Sequence, residues 1–290
     1  MIKPQHIKPT TALKPVFGTY ALAPNREALR KKADNSGEGK IGRWKISYCR
    51  KRALNGLKPP FDIEIEPALK ARLYPIGNRC EKRAIAGIHI WDLEERRFMK
   101  AAIMQAREGF LFFDGGANVG LYSLYAAFYA RQLNQTIHIH AIEPDEENRR
   151  RLIDNVCAND FSLTLWPVAI SDHSGQVSLE GHPDNRGEIK LAHRENGSTV
   201  PLTTLTDIIR HIEDDHSKLT KIDLIKLDVE GQDLRALTHL FENLEPSLYP
   251  KHLIIETGTP DDVPLTTLCY NKGYVVKGRG RLNLMLSRDD

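Results

Sequence analysis

The sequence predicts an α/β fold: a mostly parallel sheet with helices on both faces, a C-terminal antiparallel hairpin and a basic N-terminal extension. Three observations lead there. Short, wholly apolar runs such as Phe110–Phe113 read as strands buried on both faces. Segments compatible with helix alternate with these runs from residue 109 onward. The ending, Tyr274 to Lys277 and Leu282 to Leu286 around Gly278-Arg279-Gly280, has the form of a hairpin.

Taken in order, Lys31 to Lys40 is polar and glycine-containing and reads as a loop. Trp44, Ile46 and Tyr48 alternate with Lys45 and Ser47, which predicts a short strand, as does the spacing of Ile63 and Ile65. A helix is expected over Leu93 to Arg107. From Phe110 the expected order is strand, helix (Val119 to Leu133), strand (Ile137 to Ile142) and helix (Asp145 to Ala158). Leu163 to Ala169 gives a third strand, followed by an irregular stretch. Ile222 to Leu227 and Leu253 to Ile255 give two more, with helices over Asp233 to Asn243 and Pro264 to Lys272. Residues 1–90 form an extension or small accessory region and residues 91–290 the main domain.

Composition limits the class of protein. The 290 residues are 41% apolar and 27% charged, which excludes extensive disorder. The four cysteines lie far apart with no CxxC pair, against a disulfide scaffold or zinc-cysteine site and for a reducing compartment. No apolar run reaches the roughly 18 residues of a membrane span, and the N-terminus lacks a secretory signal, so a cytoplasmic location is expected. Residues 1–60 hold 14 Lys or Arg against three acids, while the remainder carries 27 basic and 35 acidic side chains. Such a basic leader suits nucleic acid, anionic lipid or a phosphorylated substrate, or simply solvates the segment.

In an open parallel sheet, ligands bind beyond the carboxyl ends of the strands. After the first strand comes Asp114-Gly115-Gly116-Ala117-Asn118-Val119-Gly120, a glycine turn at a helix N-terminus. It is not GxGxxG, because the third place from Gly115 is Ala117. Asp114 would also repel a pyrophosphate there. A ligand with a cationic centre and no phosphate fits better, as S-adenosylmethionine does. Glu143, ending the second strand, can accept both ribose hydroxyl protons, and Ser171-Asp172 follows the third strand where an adenine amino group would lie. Asp114, Gly116, Asn118, Gly120, Glu143, Ser171 and Asp172 are therefore the expected donor-binding residues.

The segments Phe113 to Ser123, Ile142-Glu143-Pro144-Asp145, Ala169-Ile170-Ser171-Asp172 and, most specifically, Leu224-Ile225-Lys226-Leu227-Asp228-Val229-Glu230-Gly231 resemble the FkbM family of S-adenosylmethionine-dependent methyltransferases. The resemblance covers about residues 90–260. It implies a class I (Rossmann-like) methyltransferase sheet and methylation of a hydroxyl on a sugar, glycan or natural product. Gly115 departs from the valine or isoleucine common there and is expected to loosen the loop. The leader has no counterpart in the resemblance.

A hydroxyl is a poor nucleophile until a base takes or shares its proton. Asp228 and Glu230, at the fourth strand end, are the expected catalytic pair: Asp228 as base or acceptor-orienting group, Glu230 on acceptor hydroxyls or shaping the loop. The alternative for Glu230 is to cap the helix starting near Gln232. Lys226 is expected to be a buried partner for one of these acids. Glu256 could join them around a divalent ion, but no metal is assigned. Trp91 and Glu94 fall on the helix expected to cover the donor site, and Arg149 to Arg151 read as an exposed helix face. His182, Arg186, His193 and Arg194, in a long polar loop, could meet an anionic acceptor. The expected acceptor is a small molecule or glycan. RNA methylation guided by the leader, a scaffold that binds the donor without transfer, and a nicotinamide oxidoreductase are the rival readings.

Overall fold

The structure, a computed structural model, describes residues 3–8, 13, 15–182, 185–192, 199–216, 219–257 and 263–288, with 181–192 and 214–216 described by backbone alone. The leader is more ordered than the sequence suggests. After β1 (Gln5–Ile7), two helices, α1 (Pro24–Asp34) and α2 (Lys40–Leu54), pack as a pair before the hairpin β2 (Phe61–Glu66) and β3 (Leu69–Leu73). The strand expected around Trp44 is thus a helix, and α1 takes the first residues of the expected loop. The buried positions of α2 are Ile46, Cys49 and Ala53, a spacing of three and four that outweighs the local alternation.

After α3 (Arg79–Ala84) and α4 (Leu93–Gln105), β4 (Phe110–Gly115), α5 (Leu121–Gln132), β5 (Ile137–Ile142), α6 (Glu146–Cys157) and β6 (Leu163–Trp166) follow the expected alternation. The third strand ends at Trp166. Beyond Pro167, β7 (Ala169–Ile170) leaves for a small sheet with β8 (Gly175–His182), β9 (Asn185–Ala192) and β10 (Thr199–Thr203), in the order β7-β10-β8-β9. This sheet and α7 (Leu205–His216) replace the irregular stretch. The remainder is β11 (Leu224–Leu227), α8 (Asp233–Asn243), β12 (His252–Glu256), α9 (Val263–Asn271), β13 (Tyr274–Arg279) and β14 (Asn283–Arg288).

The main sheet runs β1-β6-β5-β4-β11-β12-β14-β13. Strands β6 to β12 are mutually parallel, while β1 and β14 run antiparallel to their neighbours. It is the class I layout that the resemblance implies. Helices cover both faces, and strand alternation divides the core: Phe110 and Phe112 face α4, α5 and the leader, whereas Leu111 and Phe113 face α7 and α8. Leader residues Ala33 and Ile46 belong to the first of these cores. The order reverses between β4 and β11, and a ligand crevice is expected there. No helix of the described residues is long and apolar enough to cross a membrane.

Candidate active site

At the reversal point, the loops after β4 and β11 are pressed together. A Cβ on Gly116 would lie 1.9 Å from the Asp228 carbonyl oxygen, and its φ is +69°, so only glycine fits. Asn118 and Glu230 also hold left-handed backbone, φ 52° each; asparagine tolerates this, while for glutamate it costs about 1–2 kcal/mol. A Cβ on Gly115 would meet the ends of Leu227 at 2.7 Å and Ile170 at 3.3 Å. Those two side chains fill the room of a branched residue, which corrects the expectation of a looser loop.

Two adjoining cavities open here. The first is lined by Ile142, Glu143, Val168 and Ile170, together with Gly116, Asn118, Asp228 and Glu230. The second, of about 220 Å³, shares those last four and adds Tyr122, Lys226, Glu256 and three arginines, Arg79, Arg83 and Arg281. The sequence singled out Lys226 but missed Tyr122, although it falls inside the quoted glycine motif, and missed the arginines, which come from segments with no motif.

Glu143 is 4% exposed. Its carboxylate accepts backbone N–H bonds from Asn118 (2.7 Å) and Asp145 (3.0 Å), which aim it into the first cavity. Burial pushes its pKa up to about 7, although those N–H bonds pull the other way. Asn118 is itself held from the leader, because Asn78, the N-cap of α3, donates to its side-chain oxygen at 2.9 Å. Trp91, 1% exposed, lines the second cavity and packs edge-on against Tyr122 at 5.4 Å. Glu94 is exposed and pairs with Arg97.

Asp114 lines neither cavity. It is fully buried beneath α5, accepting from the Ser123 hydroxyl at 2.6 Å and the Ser123 N–H at 3.1 Å. Across the sheet it is in register with Lys226, whose Nζ lies 3.7 Å away. That ammonium also donates to the carbonyls of Gly115 (3.1 Å) and Gly116 (2.8 Å) and stands 3.6 Å from Asp228. Burial works against its charge, yet Asp228 and Asp114 outweigh burial and hold its pKa above the ordinary lysine value. Of the two strand-end acids expected as its partner, Asp228 and Glu230, Lys226 pairs with Asp228, and it serves Asp114 in addition. Gly120, φ +80°, sits against Leu152 at the head of α5, outside both cavities. Ser171 is buried and donates to Gln232 (2.9 Å) and Asp172 (3.1 Å), while Asp172 is bonded to His173 and paired with Arg235. Neither lines these two cavities.

Asp228 and Glu230 face both cavities. Where α8 begins, Asp233 accepts the Val229 N–H at 3.4 Å, a bond that ties the loop carrying Glu230 to the first turn of the helix. Glu256, one residue beyond the β11 pairing, completes an acidic group: burial first, then the negative charge of Asp228, pushes its pKa up to about 8. Among the described residues, no group of three or more His, Cys, Asp or Glu is arranged to hold a metal ion. Arg151 is buried and paired with Glu81 at 2.7 Å, so the Arg149 to Arg151 run is not wholly an exposed face. The side chains of His182 and Arg186, and all of His193 and Arg194, lie outside the described residues.

The pocket chemistry fits S-adenosylmethionine. A carboxylate able to accept hydroxyl protons stands among Ile142, Val168 and Ile170, as a ribose and a flat apolar base require, and two carboxylates suited to a cationic centre, Asp228 and Glu230, line the same cavity. Comparisons agree. The methyltransferase FkbM domain model matches residues 114–274. Methyltransferase sdnD of Sordaria araneosa is 27% identical over 192 residues, 56% of this chain and 72% of that protein. Among solved structures, a SAM-dependent methyltransferase from Agrobacterium tumefaciens aligns at 11% identity and TM-score 0.44, over 80% of this chain and 70% of its own. TrmK of M. capricolum, solved with S-adenosylhomocysteine, aligns at 12% identity and TM-score 0.34 over 65% of each chain. With the domain model spanning more than half of its length, the chain belongs to the FkbM family of S-adenosylmethionine-dependent methyltransferases.

Proposed function

We propose that the enzyme methylates a hydroxyl of a small-molecule or glycan acceptor seated in the second cavity, with Asp228 as the catalytic base. The observation that carries this is the group Asp228, Glu230 and Glu256, backed by Lys226, where the two cavities meet. Bound in the first cavity, S-adenosylmethionine supplies a methyl group activated on a sulfonium. Glu143 binds the ribose hydroxyls, and the Asn118 and Asp145 N–H bonds hold it in place. Asp228 accepts the proton that the acceptor oxygen loses as its new bond to carbon forms. Lys226, 3.6 Å from Asp228 Oδ2, fixes where that carboxylate points. Glu256 keeps its proton at neutral pH, so the pair does not crowd two negative charges together. Glu230, facing both cavities, orients acceptor hydroxyls. Trp91 and Tyr122 shield the site from water.

The test is Asp228→Asn with a panel of sugar and natural-product hydroxyls and labelled donor. Turnover should fall by about 10²–10⁴ while calorimetry shows donor affinity unchanged. Normal turnover removes Asp228 from the mechanism. Donor binding without transfer to any hydroxyl favours a scaffold instead.

A further inference from the structure

The outward face of α2 is the part of the leader that the reaction does not use. Ile41, Trp44 and Tyr48 recur at intervals of three and four, so they form one stripe along the helix. They are 84%, 67% and 50% exposed. At 3.6 residues per turn, Lys40 and Lys51 flank the stripe on one side and Lys45 and Arg52 on the other, all four exposed. The helix carries six basic residues and no acid. Its opposite face, Ile46, Cys49 and Ala53, is buried, and Arg50 donates to the Lys82 carbonyl, so the stripe is held outward.

We propose that this face docks onto an anionic lipid surface, with the apolar stripe entering the headgroup boundary and the flanking cations meeting lipid charges. The pattern is that of a helix lying in a membrane interface: aromatic and aliphatic side chains in a line, cations on both sides. Nucleic acid would use the same cations, but the stripe suits it less. The rings of Trp44 and Tyr48 already stack on each other, 5.5 Å apart and 14° from parallel, so no slot for a base remains between them. Ile41, the most exposed of the three, offers apolar area and no stacking face.

The experiment uses the full chain with vesicles of phosphatidylcholine alone or mixed with phosphatidylserine. Trp91 and Trp166 are 1% and 2% exposed, so an emission change on vesicle binding reports Trp44. A blue shift and co-sedimentation with the serine-containing vesicles only, both weakened by salt, are expected. Lys45→Glu with Arg52→Glu should lower affinity at least about thirtyfold, and Ile41→Ser roughly tenfold, with donor binding unchanged. The proposal is overturned by the absence of a shift, by equal binding to neutral vesicles, or by binding that both variants retain. It is equally overturned if single-stranded RNA, and not vesicles, shifts Trp44. A wild-type dimer that Ile41→Ser disperses would assign the stripe to a second copy and also overturn it.

Discussion

Replacing Lys226 by methionine should destabilise the fold through charge and not through lost volume. Methionine nearly fills the lysine stem, so the cavity contribution is small. What disappears is the ammonium that serves two backbone carbonyls and two carboxylates at 2.8–3.7 Å. Asp114, 0% exposed, is left with its Ser123 bonds alone. Removing one partner of a buried pair costs about 3–5 kcal/mol, and that is the expected loss in urea unfolding at pH 8. The pH dependence gives the sign. Burial already pushes the Asp114 pKa up, with Lys226 pulling it down, so the variant raises it further. An acid whose folded pKa is raised contributes stability at low pH and loses it as pH rises through that value. The defect should therefore shrink from pH 8 to pH 5. Adding Asp114→Asn to Lys226→Met should recover part of the loss. A loss below about 1 kcal/mol, or two substitutions that simply add within about 0.5 kcal/mol, would refute the buried-pair reasoning.

Two further outcomes concern titration. Glu143, at about 7, must be ionised to accept two hydroxyl protons, so donor affinity should rise about tenfold from pH 6 to pH 8. Calorimetry on Glu143→Gln should show a flat pH response and binding weaker by about 1.5–3 kcal/mol; an unchanged response removes Glu143 from the donor site. Glu256, at about 8, ionises beside Asp228 as pH rises, and wild-type kcat should show an inflection there. Glu256→Gln should keep most activity at pH 7 and lose the inflection, and an inflection that persists assigns it to another group.

The parts of the site legible in the sequence were those written locally. Glycine turns and strand-end acids sit within a few residues of each other, so Gly116, Asn118, Glu143, Asp228 and Glu230 could be placed at one crevice from the alternation alone. What local reading could not show is where a strand-end side chain turns. Asp114 is on the α5 side of the sheet, in register with Lys226, and that partnership spans 112 positions of chain. Ser171 and Asp172 follow β7, which pairs with β10 in the second sheet, and line neither of the two cavities. In α2 the alternation of Trp44, Ile46 and Tyr48 pointed to a strand, but burial follows Ile46, Cys49 and Ala53, which becomes visible only once α1 lies alongside. The stretch read as irregular hides α7, whose Leu205, Ile208, Ile209 and Ile212 keep helical spacing between polar loops.

The sheet places β14 between β12 and β13, although β13 precedes it in the chain. Leu284, Met285 and Leu286, all but fully buried, close the gap. Until β14 docks, β12 has an open outer edge and β13 has no strand to pair with in the sheet. An unpaired edge of this kind recruits other strands. The folding chain is thus exposed to mispairing until β14 docks, and a holdase shielding that edge should raise the soluble yield more than one acting on the leader.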